Sequence, residues 1–405
     1  AEAPFIYDAA WGGVVSCGCY YDNGHCINSF PNCPAFTDQG LNFGNAFYND
    51  HHFHYGYYIY TAAVLAHFDP QWGRDNFETV LVLIRDIANP SSDDTSFPLF
   101  RHKDWYFGSS WASGITQPPF PNGMNQESSS EAIASYEGVS LFGQVMRAAF
   151  ESVGESGKAE VSDEVDRVGL LLTATELRST KRYWHVYETE DTKQVYPSQY
   201  GHAVVGILWT TFIQFGTWFG NNPYLIYGIQ LLPLTPISEA RDDNRWAREV
   251  FGPLSTSCDT RCVAEGWSVQ VLAMLATIGH IDFAVNQALA MPSFVFGSPG
   301  GSGHSKSNTV WYLSTRPPVD EPYPFDENAS YPWESALVQM NCGRPTSCTE
   351  AVLNTKAGDY TCGERIRWLI NSAGLPEFNA CFQISVDEFS GECGACDPRG
   401  RRLGE

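Results

Sequence analysis

The chain has 405 residues, enough for one large domain with an appendage, and its 43% hydrophobic and 14% aromatic content excludes a disordered polymer. Acidic residues outnumber basic ones 46 to 24, and the resulting formal charge of −22 excludes nucleic acid as a natural partner while leaving a neutral polymer indifferent. The most apolar run, Val204 to Gly220, carries Thr210, Thr211, Gln214 and Thr217 and falls short of the roughly 20 apolar residues of a bilayer span, so no membrane span is expected.

Taken in chain order, residues 1–47 are rich in Gly, Asn and Cys and read as stapled loops. Ala1-Glu2-Ala3-Pro4 lacks the basic start and apolar run of a secretory leader, as in a mature or trimmed chain. A helix is expected from near Asp50 through His67, and another over Asp75–Ala88, stopped by Asn89-Pro90. Ser91 to Gln126 has loop composition. Glu127 to Ser152 is the clearest helix, because Ile133, Tyr136, Val139, Phe142 and Met146 recur at spacings of three and four.

Further helices are expected at Val161–Tyr187, His202–Phe219, Ser238–Phe251, Asp259–His280 and Ile281–Met291, with loops at Asn221–Pro236 and Ser293–Asn308. The stretch from Val204 reads as a buried helix. Alternating β-branched runs are few, so the expected class is mainly α, with helices separated by long ring-bearing loops as in an α/α barrel.

The twelve cysteines form three even groups: Cys17, Cys19, Cys26 and Cys33; Cys258 and Cys262; and Cys342, Cys348, Cys362, Cys381, Cys393 and Cys396. Local disulfides in an oxidising, secreted setting suit that grouping, although four cysteines allow three pairings and six allow fifteen. Cys393-Gly-Ala-Cys396 raises zinc as the rival, but a closed zinc site wants a second close pair. Asn328-Ala329-Ser330 fits a glycosylation acceptor. The expected organisation is a domain over 1–335, a cysteine-rich appendage over 341–398 and a tail over 399–405.

Three segments could carry chemistry. In Asn49-Asp50-His51-His52-Phe53-His54-Tyr55-Gly56-Tyr57, Asp50 falls at a helix start, where a carboxylate ordinarily caps. Adjacent His51 and His52 diverge on a helix, and no His-Glu-x-x-His pattern is present, so no metal site is expected. In Arg101 to Gly114, charges alternate with Trp105 and Trp111. Such a segment suits a groove that stacks and hydrogen-bonds sugars, and an ordinary packed loop would look the same. Glu127 and Glu131 are four apart at a helix start and project from one face; they complement the helix dipole, and their closeness could also tune one for acid–base work.

Together these segments resemble glycoside hydrolase family 81, the endo-β-1,3-glucanases. Tyr7-Asp8 with Trp11-Gly12-Gly13 looks like the family's entry to its catalytic domain. The Asn49–Tyr57 and Glu127–Ala132 segments look like its two catalytic blocks. Tyr227-Gly228-Ile229-Gln230 through Pro233-Leu234-Thr235-Pro236, Ser305 to Tyr312, and Thr315-Arg316-Pro317 resemble later blocks, so the in-order matches run from about Phe5 to Pro317. The resemblance implies an (α/α)6 barrel and inverting endo-hydrolysis of β-1,3-glucan without metal or organic cofactor. Asp50 would be the general acid, Glu127 the general base and Glu131 an essential neighbour, with either glutamate able to hold the water. His54, Tyr55, Asp104, Trp105, Trp111 and Trp11 would contact substrate. The implied partner is a β-1,3-glucan polysaccharide, met outside the cell or in a cell wall by a monomer; a glucan-binding or elicitor-receptor role is the alternative. Family members carry a β-sandwich domain before the barrel, whereas this chain begins at the barrel. In Gly108-Ser109-Ser110-Trp111 a serine stands where many members have histidine.

Overall fold

The computed structural model describes residues 3–22, 25–115, 119–187, 195–291, 295–296, 303–329, 331–333, 341–344, 346–371 and 375–399. They form two compact units, Ala1–Asn221 and Asn222–Glu405. The fold is mainly helical, as expected, with only short strands.

The first unit opens with β1 (Phe5–Asp8) and β2 (Gly13–Ser16), an antiparallel hairpin in which Tyr7 lies opposite Val14. The loops beyond it are closed by Cys17–Cys33 and Cys19–Cys26, around the short pair β3 (Tyr21–Asp22) and β4 (His25–Cys26). Then come α1 (His51–Phe68), α2 (Pro70–Ala88), β5 (Asn125–Gln126), α3 (Ser129–Glu151) and α4 (Ser156–Tyr183). Helix α2 starts earlier than the sequence suggests. Asp69 accepts the Trp72 N–H, and Pro70 occupies the first turn, where its missing donor costs nothing. Helix α3 packs against both α1 and α4. Where α1 meets α3, a Cβ on Gly56 would lie 2.5 Å from the Ser135 Cβ, so only glycine permits that approach. Tyr55, Ile59, Phe77, Ile84, Tyr136, Phe142, Phe150 and Leu172 form the core between these helices.

The expected helix over His202–Phe219 does not form. Instead β6 (Ile207–Trp209) and β7 (Ile213–Gln214) make a hairpin, and β5 pairs with β6 to give the order β5-β6-β7. Its Val, Ile, Thr and aromatic residues prefer strand, and Asn125–Gln126 supplies a backbone partner. A continuous apolar run has no period that separates a buried strand from a buried helix.

In the second unit are α5 (Pro223–Gly228), α6 (Ser238–Arg241), α7 (Asn244–Ser257), α8 (Thr260–Ala264), α9 (Ser268–Thr277), α10 (Ile281–Ala290) and α11 (Lys306–Ser314). Helix α5 interrupts the loop expected over Asn221–Pro236. Asp243, capping the Trp246 N–H, divides the expected Ser238–Phe251 helix in two. Asp259 caps α8, and a left-handed Gly266 separates α8 from α9. Ser305 caps α11, which therefore begins inside the loop expected to reach Asn308. Every residue of α9 from Ser268 to Ala276 is buried, the mark of a central core helix.

The cysteine-rich segment contains α12 (Glu350–Leu353), the pair β8 (Lys356–Ala357) and β9 (Tyr360–Thr361), α13 (Cys362–Asn371), α14 (Glu377–Phe382) and α15 (Ser390–Cys393). Its disulfides are Cys342–Cys381, Cys348–Cys396 and Cys362–Cys393, and the middle pair is Cys258–Cys262. The zinc alternative fails there, since Cys393 and Cys396 each bond a distant cysteine. Ser330 of the glycosylation acceptor and residues 400–405 of the expected tail lie outside the described residues. Among the described residues, no helix is long and apolar enough to cross a membrane.

Candidate active site

Asp50 stands at the N-cap position of α1, yet its carboxylate makes no capping bond. Its backbone is left-handed (φ 58°, ψ 18°), a conformation that Asp tolerates better than most residues. The Asp50 N–H donates to the Ala112 carbonyl at 2.9 Å, and the Asp50 carbonyl accepts from His54 N–H at 3.0 Å. The turn is therefore held from both sides while the side chain is released from helix duty. Gly114 makes that possible: a Cβ there would collide with Phe47 O and Tyr48 C and lie 2.6 Å from Asn49 N. Below the turn, Phe53, Ala112 and Ala132 pack as a small buried cluster.

Glu127 and Glu131 also differ from the simple expectation of two helical neighbours. Helix α3 starts only at Ser129, so Glu127 precedes it, in a bend that leaves β5. Ser128 is the N-cap and accepts the Glu131 N–H at 3.3 Å. The Tyr57 hydroxyl on α1 donates to Glu131 Oε1 at 2.8 Å. The Trp218 backbone N–H donates to Glu127 Oε1 at 2.7 Å.

All three carboxyls are half-buried and close enough to feel one another. Burial, then the charges of Glu131 and Glu127, push the Asp50 carboxyl well above its usual range. Burial pushes Glu127 up to about 7, with Glu131 adding to the rise and the Trp218 N–H opposing it. Burial also raises Glu131, against hydrogen bonds from Ser128 and Tyr57 that favour its ionised form. Burial thus favours the protonated form of all three carboxyls, and at Asp50 the charges of both glutamates add to it.

A buried polar layer supports α1. His51 Nδ1 lies 2.6 Å from Asp86 Oδ2 and Nε2 lies 2.7 Å from the Asn45 carbonyl. Asp86 also accepts from the Val14 N–H and faces Arg101 at 3.3 Å. His52 Nε2 meets Gln126 Oε1 at 2.9 Å, and its ring stacks on His102 with centroids 4.5 Å apart. These imidazoles organise the backbone around the carboxyls.

The expected substrate contacts divide. Trp11 is 60% exposed and tilts over Tyr48, two residues before Asp50. Trp105 is 51% exposed, above a buried Lys103–Glu176 ion pair that Ser110 also joins. His54 is half-buried one turn beyond Asp50, and burial and then His51 lower it to about 4, so it is neutral at physiological pH. Three others serve the scaffold. Tyr55 is fully buried, its hydroxyl donating to the Val14 carbonyl. Trp111 is buried, and its indole N–H donates to Asp104 Oδ2. The other Asp104 oxygen accepts from the Tyr106 and Phe107 N–H groups, so that carboxylate closes its own loop.

Trp218 escaped the sequence reading because it lay in the supposed buried helix. Its ring is 55% exposed and adjoins Phe120 and Trp209, with centroids 5.5 and 5.6 Å away. The signal present was Gly220-Asn221-Asn222-Pro223, a dense turn cluster immediately after it.

Residues 1–313 match the family model described as the glycosyl hydrolase family 81 C-terminal domain. The chain is 32% identical over 317 residues to a glucan endo-1,3-beta-D-glucosidase of Arthroderma benhamiae, a match covering 77% of this chain and 31% of that protein. It is 31% identical over 323 residues to a protein of the same name from Glycine max, covering 77% of this chain and 42% of that one. It thus spans well under half the length of these relatives. A solved structure of a mutant glycoside hydrolase family 81 protein from Clostridium thermocellum superposes with a TM-score of 0.56 at 27% identity, covering 76% of this chain and 37% of that one.

Proposed function

The chain belongs to glycoside hydrolase family 81, and from that premise we propose that it cleaves internal β-1,3-glucosidic bonds of glucans with inversion at the anomeric carbon. One observation carries the reading: Asp50 stands at the start of α1 with no capping bond, and burial, then the charges of Glu131 in the first turn of α3 and of Glu127 just before it, favour its protonated form. The proton-retaining carboxyl and the ionisable pair come from separate elements, as facing acid and base must.

In this mechanism Asp50 donates its proton to the glycosidic oxygen as the C1–O bond breaks. Glu127 takes a proton from water, whose oxygen attacks C1 from the opposite face. Asp50 ends ionised and Glu127 protonated, and exchange with solvent restores both. Inversion needs the two carboxyls about 6.5–9.5 Å apart, to leave room for the water. Glu131, held by Tyr57, keeps negative charge beside Asp50 and so favours its protonated form. Trp11, Trp105 and Trp218 offer flat apolar faces for sugar rings.

The wider reading is an (α/α)6 barrel over 1–335 with an appendage over 341–398, acting as a monomer outside the cell or in a cell wall on β-1,3-glucan. The names of the two relatives and the disulfides support it. The test is incubation with laminarin, following reducing ends and the first-formed anomer by proton NMR. An α-anomer appearing first from internal cleavage is expected. Binding without product release, or a β-anomer first, overturns the mechanism.

A further inference from the structure

Phe43 occupies a position that burial does not explain. Its ring is 73% exposed, yet its backbone is left-handed (φ 57°, ψ 29°), between Asn42 (φ 50°, ψ 41°) and Gly44 (φ 75°, ψ 21°). Residues with a Cβ avoid this region, and two of these three consecutive residues carry one. Such strain persists where the surroundings over-determine it, and it clusters at sites of ligand contact.

The surroundings do so here. Asn42 Nδ2 donates to Ser16 Oγ at 2.9 Å, and the Ser16 N–H donates to Asn45 Oδ1 at 2.7 Å. Asn49 Nδ2 donates to the Phe43 carbonyl at 2.7 Å, and the Asn49 N–H to the Gly44 carbonyl at 3.2 Å. These bonds fix the backbone and turn the ring outward, where it meets His54 edge-on with centroids 5.4 Å apart. His54 is one turn from Asp50 on α1, and Asn49 immediately precedes Asp50. The turn that presents Phe43 and the turn that presents the proton donor are therefore braced by the same residues.

We propose that Phe43 is a stacking platform for the sugar ring on the leaving-group side of the scissile bond. The inference rests on the glucanase reading of Asp50. An acid protonates the departing oxygen, so a flat apolar surface built onto the acid's own support meets the departing sugar. The C–H face of a glucose ring suits the electron-rich face of phenylalanine.

The test is steady-state hydrolysis of a laminarin oligosaccharide by the wild type and by F43A, F43L, F43Y and F43G. F43A and F43L should each raise KM about tenfold, with kcat within about threefold and an unmoved pH profile. F43Y should stay near wild type. F43G suits the left-handed backbone, so it should keep or raise Tm while still raising KM. Recovery by F43L means that Phe43 only props His54, and the proposal falls. Unchanged KM in F43A or F43G overturns it equally. If the wild type releases no product, the glucanase reading has failed instead. Calorimetric binding of the same oligosaccharide to wild type and F43A then reads the platform directly, and equal affinity overturns it.

Discussion

The Tyr57 hydroxyl donates to Oε1 of Glu131 at 2.8 Å, joining the helix that begins after Asp50 to the helix that follows Glu127. Tyr57 is seven residues after Asp50, two helical turns along α1. The bond favours the ionised form of Glu131, whose charge in turn raises Asp50.

Tyr57→Phe should therefore raise the Glu131 pKa and weaken the hold of Asp50 on its proton. Loss of one hydrogen bond to a charged group costs about 1.5–3 kcal/mol, or roughly 10- to 100-fold in kcat if it acts wholly in the transition state. The alkaline limb of the pH–rate profile for laminarin should move to lower pH. A lowered kcat with an unchanged profile would separate Tyr57 from this electrostatic role.

Glu127→Gln should abolish turnover yet stabilise the fold at neutral pH. The folded pKa of Glu127, about 7, lies above its ordinary value near 4.5. Between those values the native state binds more protons than the unfolded state, so this residue's contribution to stability falls as pH rises through that window. The Tm advantage of the glutamine variant should therefore grow from pH 4.5 to 7 and level off above. Calorimetric scans across that range check it, and a constant difference would contradict the burial of the carboxyl.

Asp86→Asn should destabilise the unit by about 3–5 kcal/mol, because it strips the partner from buried His51 and half-buried Arg101. Burial pushes the Asp86 carboxyl up, but His51, Arg101 and the Val14 N–H together bring it below its usual value. Its stabilising effect is thus present above the ordinary carboxyl pKa and lost as pH falls through the lowered one. Urea titrations at pH 7 and pH 3 should show a larger gap between wild type and variant at the first than at the second.

Gly114→Ala should cost activity out of proportion to stability. The added methyl collides with the backbone of Phe47 and Tyr48 and must displace the turn carrying Asp50. Overpacking of this kind costs about 1–3 kcal/mol in stability. If Asp50 is the acid we propose, a shift of about 1 Å there would cost about 100-fold in kcat. Equal losses in Tm-matched comparison with a remote destabilising variant would refute the link.

Much of the architecture was legible because periodicity is local. Ile133, Tyr136, Val139, Phe142 and Met146 mark α3 wherever the helix ends up, and the three even cysteine groups foretold disulfides within each group. Ordered motifs from Phe5 to Pro317 pointed to the family, and the match over residues 1–313 agrees with them. Spatial selection was not legible. Val204–Gly220 became a hairpin because β5 lay beside it, and a run of apolar residues cannot name its neighbour. Asp50 looked like a helix cap, but its left-handed backbone, bonded to Ala112, released the carboxylate. Tyr55, Asp104 and Trp111 carry chemical groups that suit sugar contacts, and only the folded structure shows them bonded within the protein. Trp218 reached Glu127 across 91 residues. Residue type and spacing set what each segment can form; which groups face one another depends on long-range contacts that exist only once the chain has closed on itself.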